Sequence, residues 1–214
     1  MALSGLALCG FVLAHLAGNL QIFAGPDALN SYAAKLQHLG PFLWVARAVL
    51  LACLVAHVVT AAQLTIENRR ARPLRYLKET TVQASYASRT MPMTGLIVFG
   101  FILYHLAHFT FGATHPAYSH LTDPKGRHDV YAMVVLSFRE WPVALAYVAA
   151  MIPLSMHLGH GFASLFQSLG LRHERYVGLV RCGARAFAAL ILIGNCSIPL
   201  SILTGIVRLH GGVS

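Results

Sequence analysis

The chain has 214 residues, of which 57% are hydrophobic and only 11% charged. A soluble domain carries about 25% charged residues, so a chain this depleted cannot cover a water-facing surface and belongs in a membrane. Its formal net charge of +9 is not the footprint of a nucleic-acid binder, because no basic patch with aromatic platforms accompanies it.

The apolar segments are long and nearly continuous rather than alternating with period two, which predicts helical spans. The first covers approximately residues 2–24 and stops at Gly25-Pro26-Asp27. Met1 leads straight into it with no basic region ahead, so it reads as a permanent span and not a cleaved signal. Residues 27–39 (DALNSYAAKLQHL) are amphipathic and read as a short helical connection along the surface. The second span covers about 42–66, between Gly40-Pro41 and a basic run starting at Asn68, and the third about 94–112. Gly112 to Arg139 reads as a second connection, rich in histidine and turn residues. The fourth span covers about 141–169 and the fifth about 185–209. Each reaches or nearly reaches the roughly 20 residues that a bilayer requires. The expected fold is therefore all-α: one transmembrane domain over residues 1–214, built as a five-helix bundle.

Charge alternates between the connections. Arg69, Arg70, Arg72, Arg75, Lys78 and Arg89 lie between spans two and three, and Arg172, Arg175, Arg181 and Arg185 between spans four and five. The other connections hold Lys35, then Lys125, Arg127 and Arg139 diluted by Asp123, Asp129 and Glu140. The positive-inside rule places the basic loops in the cytoplasm, with the N-terminus inside and the C-terminus outside. The four cysteines, Cys9, Cys53, Cys182 and Cys196, form no CxxC pair and no CxxCH. Zinc ribbons, thioredoxin-like chemistry and covalently attached haem are thereby unsupported.

Twelve histidines are the main anomaly. His38, His115, His120, His128, His173 and His210 fall in connections or at the chain end, where histidine is ordinary. His15, His57, His105, His108, His157 and His160 fall inside four successive spans. Ionisable residues at membrane depth are costly and usually functional. Two neutral imidazoles from facing helices can hold one haem b, so four ligand-bearing helices would hold two. Depth sorts the candidates. His15 lies ten residues before Gly25 and His105 seven before Gly112, roughly 15 and 10 Å from the outer end at 1.5 Å per residue. His57 lies ten residues before Glu67, and His157 and His160 lie thirteen and ten before Gly170. His15 thus pairs with His105 in the outer half, and His57 with the fourth span in the inner half. Depth leans slightly toward His160 as that partner but covers both. Gly18, Gly100, Gly159 and Gly161 accompany these positions and would give a macrocycle room. The bland alternative is interhelical hydrogen bonding, which leaves the sorting into two depth-matched pairs unexplained.

The residues resemble the single-polypeptide, five-helix, di-haem cytochrome b subunit of succinate:quinone oxidoreductases, that is, succinate dehydrogenases and fumarate reductases. The resemblance is carried by HLAGNLQIFAGPDALNSYA, HVVTAAQLTIENRRARP, SRTMPMTG and MHLGHGFASLFQSLG, and it extends over essentially the whole chain. It implies axial ligands at His15 and His105 for the outer haem, and at His57 and His157 for the inner haem. His157 is there the first histidine of an HxxxG pattern, with His160 a neighbour on the propionate side. It further implies a bacterial cytoplasmic membrane protein docked under a flavoprotein that oxidises succinate and an iron–sulfur subunit that passes the electrons on. A quinone, menaquinone or ubiquinone, exchanges electrons near the outer haem, and a higher oligomer of the complex is compatible with this. Ser88, Arg89, Arg69 and Arg70 are the docking or propionate candidates, and Asn19, Gln21, Gln37 and His38 the quinone-site candidates. Family members usually carry a cytoplasmic segment before the first helix, whereas here apolar sequence begins at Ala2. Two competing readings remain. One is the cytochrome b of a hydrogenase or formate dehydrogenase, although some cytochromes b put two ligands on one helix. The other is a haem-free transporter with an intramembrane histidine relay.

Overall fold

A computed structural model of the chain describes residues 1–71, 86–170 and 174–209, with side chains described throughout except at 86–89. Helix α1 (Ala2–Asn19) tightens into a 3-10 turn (Leu20–Ala24) and is broken at Gly25, whose φ of 97° belongs to the left-handed region that glycine tolerates. Helix α2 (Pro26–Gln37) starts on a proline, whose missing N–H costs nothing in a first turn. Asp27 in its first turn and Lys35 in its last complement the helix dipole. Helix α3 (Pro41–Arg70) is followed by α4 (Tyr86–His105), which widens into a π-helical turn at Leu106–Thr110. Helices α5 (Val130–Arg139), α6 (Trp141–Ser168) and α7 (Glu174–Leu203) complete the fold. The described residues form no strand, only an isolated bridge between Thr122 and His128.

Among the described residues, five helices are long and apolar enough to cross a membrane: Ala2–Ala24, Pro41–Arg70, Thr90–Thr110, Trp141–Ser168 and Glu174–Leu203. Several boundaries differ from the sequence reading. Helix α3 runs on to Arg70, because its polar end of strong helix formers extends beyond the apolar stretch. Helix α4 begins at Tyr86 and accommodates Pro92 in its second turn, where a proline removes a single bond near the helix start. Helix α7 begins eleven residues before the expected 185 and ends at Leu203, not 209. Arginines continue a helix well, and Gly205 at φ 76° ends it. The larger correction is α5, expected to be connection. Its apolar run VYAMVVLSF follows Asp129, whose carboxylate accepts from the Ala132 N–H at 2.9 Å and caps the helix. Six of its ten residues are buried.

The spans alternate in direction, and α2 and α5 cover one end of the bundle. At this capped end, Ile22, Leu29, Tyr131, Val135, Phe138, Tyr147, Ile198 and Ile202 form the larger buried cluster. A smaller one joins Leu16, Leu158 and Ile191 across α1, α6 and α7. Leu16 gains its place because residue 194 is glycine; a Cβ there would lie 2.8 Å from its Cδ2. Large apolar side chains face outward instead, Phe42 (78% exposed), Trp44, Leu96 and Leu179 among them. Helix α3 buries no residue and packs mainly on α1. A polar clamp fastens the cap. Buried Asn30 on α2 donates to Asp129 at 2.9 Å and accepts from the Tyr131 N–H at 2.9 Å. Arg127 donates to Asp123, Ser31 and Asp27 at 2.7, 2.6 and 2.8 Å, and Lys125 adds a 2.6 Å bond to Asp27.

Candidate functional site

The structure brings the span histidines together in two pairs. His15 on α1 meets His105 at the end of α4, with ring centroids 5.7 Å apart and planes inclined by 88°. His57 on α3 faces His157 on α6 at 6.4 Å and 73°. Their spacing along the bundle can be read on two helices independently. On α1, Gly5 lies under the His57 ring, where a Cβ would stand 3.4 Å from Cε1, and His15 follows ten residues later. On α4, Gly95 lies under His157, where a Cβ would stand 3.2 Å from Cε1, and His105 follows ten residues later. Ten helical residues make roughly 15 Å, so both helices set the pairs at the same separation.

Each ring is oriented by its surroundings. Hydroxyls approach Nδ1 of three of the four: Ser4 on His57 at 3.4 Å, Thr94 on His157 at 3.3 Å and Tyr147 on His105 at 3.5 Å. These are long for hydrogen bonds and so individually weak, but they address the same atom each time. A ring that donates from Nδ1 keeps its lone pair on the opposite nitrogen, Nε2. Aromatic rings line the His15–His105 pair, with Phe11 stacked on His15 and Phe101 and Phe109 beside His105.

Of the two histidines on α6, His157 is the one that faces His57. His160 is half-buried three residues farther along, toward the end away from the cap. His108 is 2% exposed and fully engaged within the protein: Nδ1 pairs with the Tyr147 hydroxyl at 2.9 Å and Nε2 with Ser137 at 3.1 Å. Sequence reasoning placed His108 only by its depth. Its burial comes from α5, which that reasoning did not foresee. His115, read as ordinary, pairs with Glu140 at 3.1 Å, and Glu140 also accepts from Tyr118 at 3.2 Å. Burial, then this bond, pushes the Tyr118 phenol up.

The quinone-site candidates separate. Asn19 lines a cavity of about 190 Å³ with His15, Leu29, Tyr32, Ala33, Leu36 and Val130. Gln21 is half-buried and does not line it, while Gln37 and His38 are exposed at the end of α2. Tyr32 was missed by sequence reasoning; its ring enters because Gly18 has no side chain, and a Cβ there would stand 2.6 Å from Cε1. Gly159 instead serves helix packing against Ala188, and added Cβ atoms at Gly100 and Gly161 would meet nothing within 4 Å. Arg69 and Arg70 are exposed at the end of α3. Ser88 and Arg89 lie on the first turn of α4 with their side chains outside the described residues, as do Arg72, Arg75, Lys78, Arg172, His173 and His210 altogether.

No group of three or more histidine, cysteine or carboxylate side chains is poised for a metal ion among the described residues. The chemistry left is that of paired imidazoles. Metal–imidazole bonds of about 2 Å place the centroids of two trans rings roughly 6 Å apart. The rings of His15 and His105 and of His57 and His157, 5.7 and 6.4 Å apart and with a hydroxyl at Nδ1 of three of the four, are donor sets that could each hold one metal centre between two imidazoles. Comparison of the chain with protein-family models, with curated proteins and with solved structures finds no match.

Proposed function

We propose that the chain is a di-haem cytochrome b and serves as the membrane anchor of a succinate:quinone oxidoreductase. The observation that carries the haem reading is the repeated ten-residue interval from Gly5 to His15 and from Gly95 to His105. Two helices thereby hold two histidine pairs at one separation, as a two-haem stack requires and an isolated interhelical hydrogen bond does not. In this reading His15 and His105 hold the outer haem through Nε2, and His57 and His157 the inner one. Haem b at each pair supplies a one-electron carrier at that depth of the membrane. The chain's own work is to fix the rings, line the His15–His105 pair with aromatic side chains, and present the reacting partners at either end.

The assignment to succinate:quinone oxidoreductase rests on the sequence resemblance. Arg69 and Arg70 are exposed at the end away from the cap, where an iron–sulfur subunit beneath a flavoprotein would dock, with Ser88, Arg89 and His160 on the same side. Asn19 and Tyr32, beside His15, are suited to hydrogen-bond a quinone carbonyl at the other. The basic residues of that uncapped end favour the cytoplasmic side for it and for the N-terminus, and the resemblance implies a bacterial membrane.

A reduced-minus-oxidised spectrum with a haem-to-protein ratio tests the reading. Two b-type haems per chain are expected, and absence of the b-type signal would end it. Reduction of those haems by succinate, once the soluble partners are supplied, separates this complex from other quinone-linked dehydrogenases.

A further inference from the structure

We infer that Tyr147 is a positioning residue for His105 and sets the reduction potential of the outer haem alone, through a hydrogen-bonded line that ends at Ser137. The inference rests on the di-haem reading and goes beyond it. Three elements supply the line: Tyr147 from α6, His108 from the π-helical turn after α4, and Ser137 from α5.

The direction of the line follows from donor chemistry. His105, bound to iron through Nε2, carries its proton on Nδ1 and can only donate there. The Tyr147 oxygen, 3.5 Å away, accepts. The Tyr147 hydroxyl then donates to the shorter neighbour, His108 Nδ1, at 2.9 Å. His108 is thereby fixed as the tautomer protonated on Nε2, which donates to the Ser137 oxygen at 3.1 Å. In this arrangement each group donates once along the line, and donors aligned in sequence polarise one another. The line is also held mechanically. His108 and Ser137 are buried, and the Tyr147 ring is packed edge-on by Phe101, Phe109 and Phe138.

A ligating histidine that donates its second N–H is a more basic ligand. It favours the oxidised iron and lowers the potential. The other pair has the hydroxyls of Ser4 and Thr94, which themselves bond to carbonyls of their own helices, and His57 also meets the Met1 backbone. No line of side chains extends from them, so the line through Tyr147 belongs to the His15–His105 pair alone.

The test is a potentiometric titration of the full chain in detergent, with haem content and the low-spin electron paramagnetic resonance signal of each haem recorded alongside. In Tyr147→Phe, one midpoint should rise by about tenfold in the reduction equilibrium, ~59 mV for one electron, while the other stays. Tyr104→Phe, which alters a ring packed against the same tyrosine and histidine, should move neither. Ser137→Ala removes the far end of the line and should raise the same midpoint by less, and it keeps the inference testable if Tyr147→Phe does not fold. Two bound haems with unmoved midpoints in Tyr147→Phe, or with both midpoints moved equally, would overturn the inference while leaving the di-haem reading intact. A wild-type chain without b-type haem would remove both.

Discussion

At the scale of single residues, what distinguishes a ligand from a bystander is the direction its ring faces, not its depth. His157 and His160 are three residues apart on α6, and a depth estimate cannot separate neighbours less than one turn apart. The rotation of α6 against α3 and α4 separates them, and it is visible in the glycine beneath one of the two rings. His157→Ala should therefore leave one haem per chain and His160→Ala two, as read by haem-to-protein ratio. The glycines make a finer prediction. A Cβ at Gly95 would crowd His157 at 3.2 Å, whereas one at Gly5 would reach ordinary contact with His57 at 3.4 Å. Gly95→Ala should weaken or lose one haem and Gly5→Ala keep both. Gly10→Ala, facing nothing within 4 Å, should retain both haems and raise helix stability by about 0.5–1 kcal/mol in thermal unfolding.

At the scale of elements, the capped end is where sequence and structure part most. The spans were legible because length and apolarity alone define them. Helix α5 was not, because ten residues are too few to signal a span and the surrounding turn residues mark a loop. The polar face of α2 was misleading in another way. An amphipathic pattern assigns polar residues to water, yet Asn30 is 1% exposed and satisfies the α5 start. Asn30→Ala leaves Asp129 and the Tyr131 N–H short of a buried partner and should cost about 1–3 kcal/mol. Amide hydrogen exchange should show the loss in α2 and the start of α5. The cap also has an acid limit. Burial pushes the Asp123 carboxyl up, but Arg127 and the backbone N–H groups of Arg127 and Lys125 outweigh it and hold it down at about 2. Bonds from Lys125 and Arg127 likewise hold Asp27 below its ordinary value. A depressed carboxylate stabilises the fold above the ordinary carboxylate range, and that contribution is lost as pH falls toward 2. Protection of the α2 amides, referred to their intrinsic exchange rate at each pH, should fall over that interval and remain unchanged between neutral pH and about 5.

At the scale of the whole molecule, the bundle has two unlike ends. One is sealed by α2, α5 and paired charges; the other shows Arg69, Arg70 and Arg181 unsealed. The charge asymmetry was legible in the sequence, since topology is written in arginine counts. The sealing was not, since it depends on which helices fold back. The proposed orientation makes Cys182, exposed beside Arg181, a reporter: a membrane-impermeant maleimide should label it in inverted vesicles and not in intact cells. Labelling from outside would reverse the topology and, with it, the side on which soluble subunits dock.

The wide turn at Leu106–Thr110 has a consequence for how the chain tolerates change. The Phe111 N–H reaches back five residues to Leu106, at 2.9 Å, so this turn holds a residue more than an α-helical one. The local count of residues is therefore itself a structural requirement. Removing one residue between Leu106 and Thr110 would let the helix close into ordinary turns and rotate the downstream chain relative to His105. Where the residue removed is Ala107 or Phe109, His108 would swing off the Tyr147–Ser137 line although the side chains of that line all remained. In this short stretch the number of residues is as much a part of the structure as their identity.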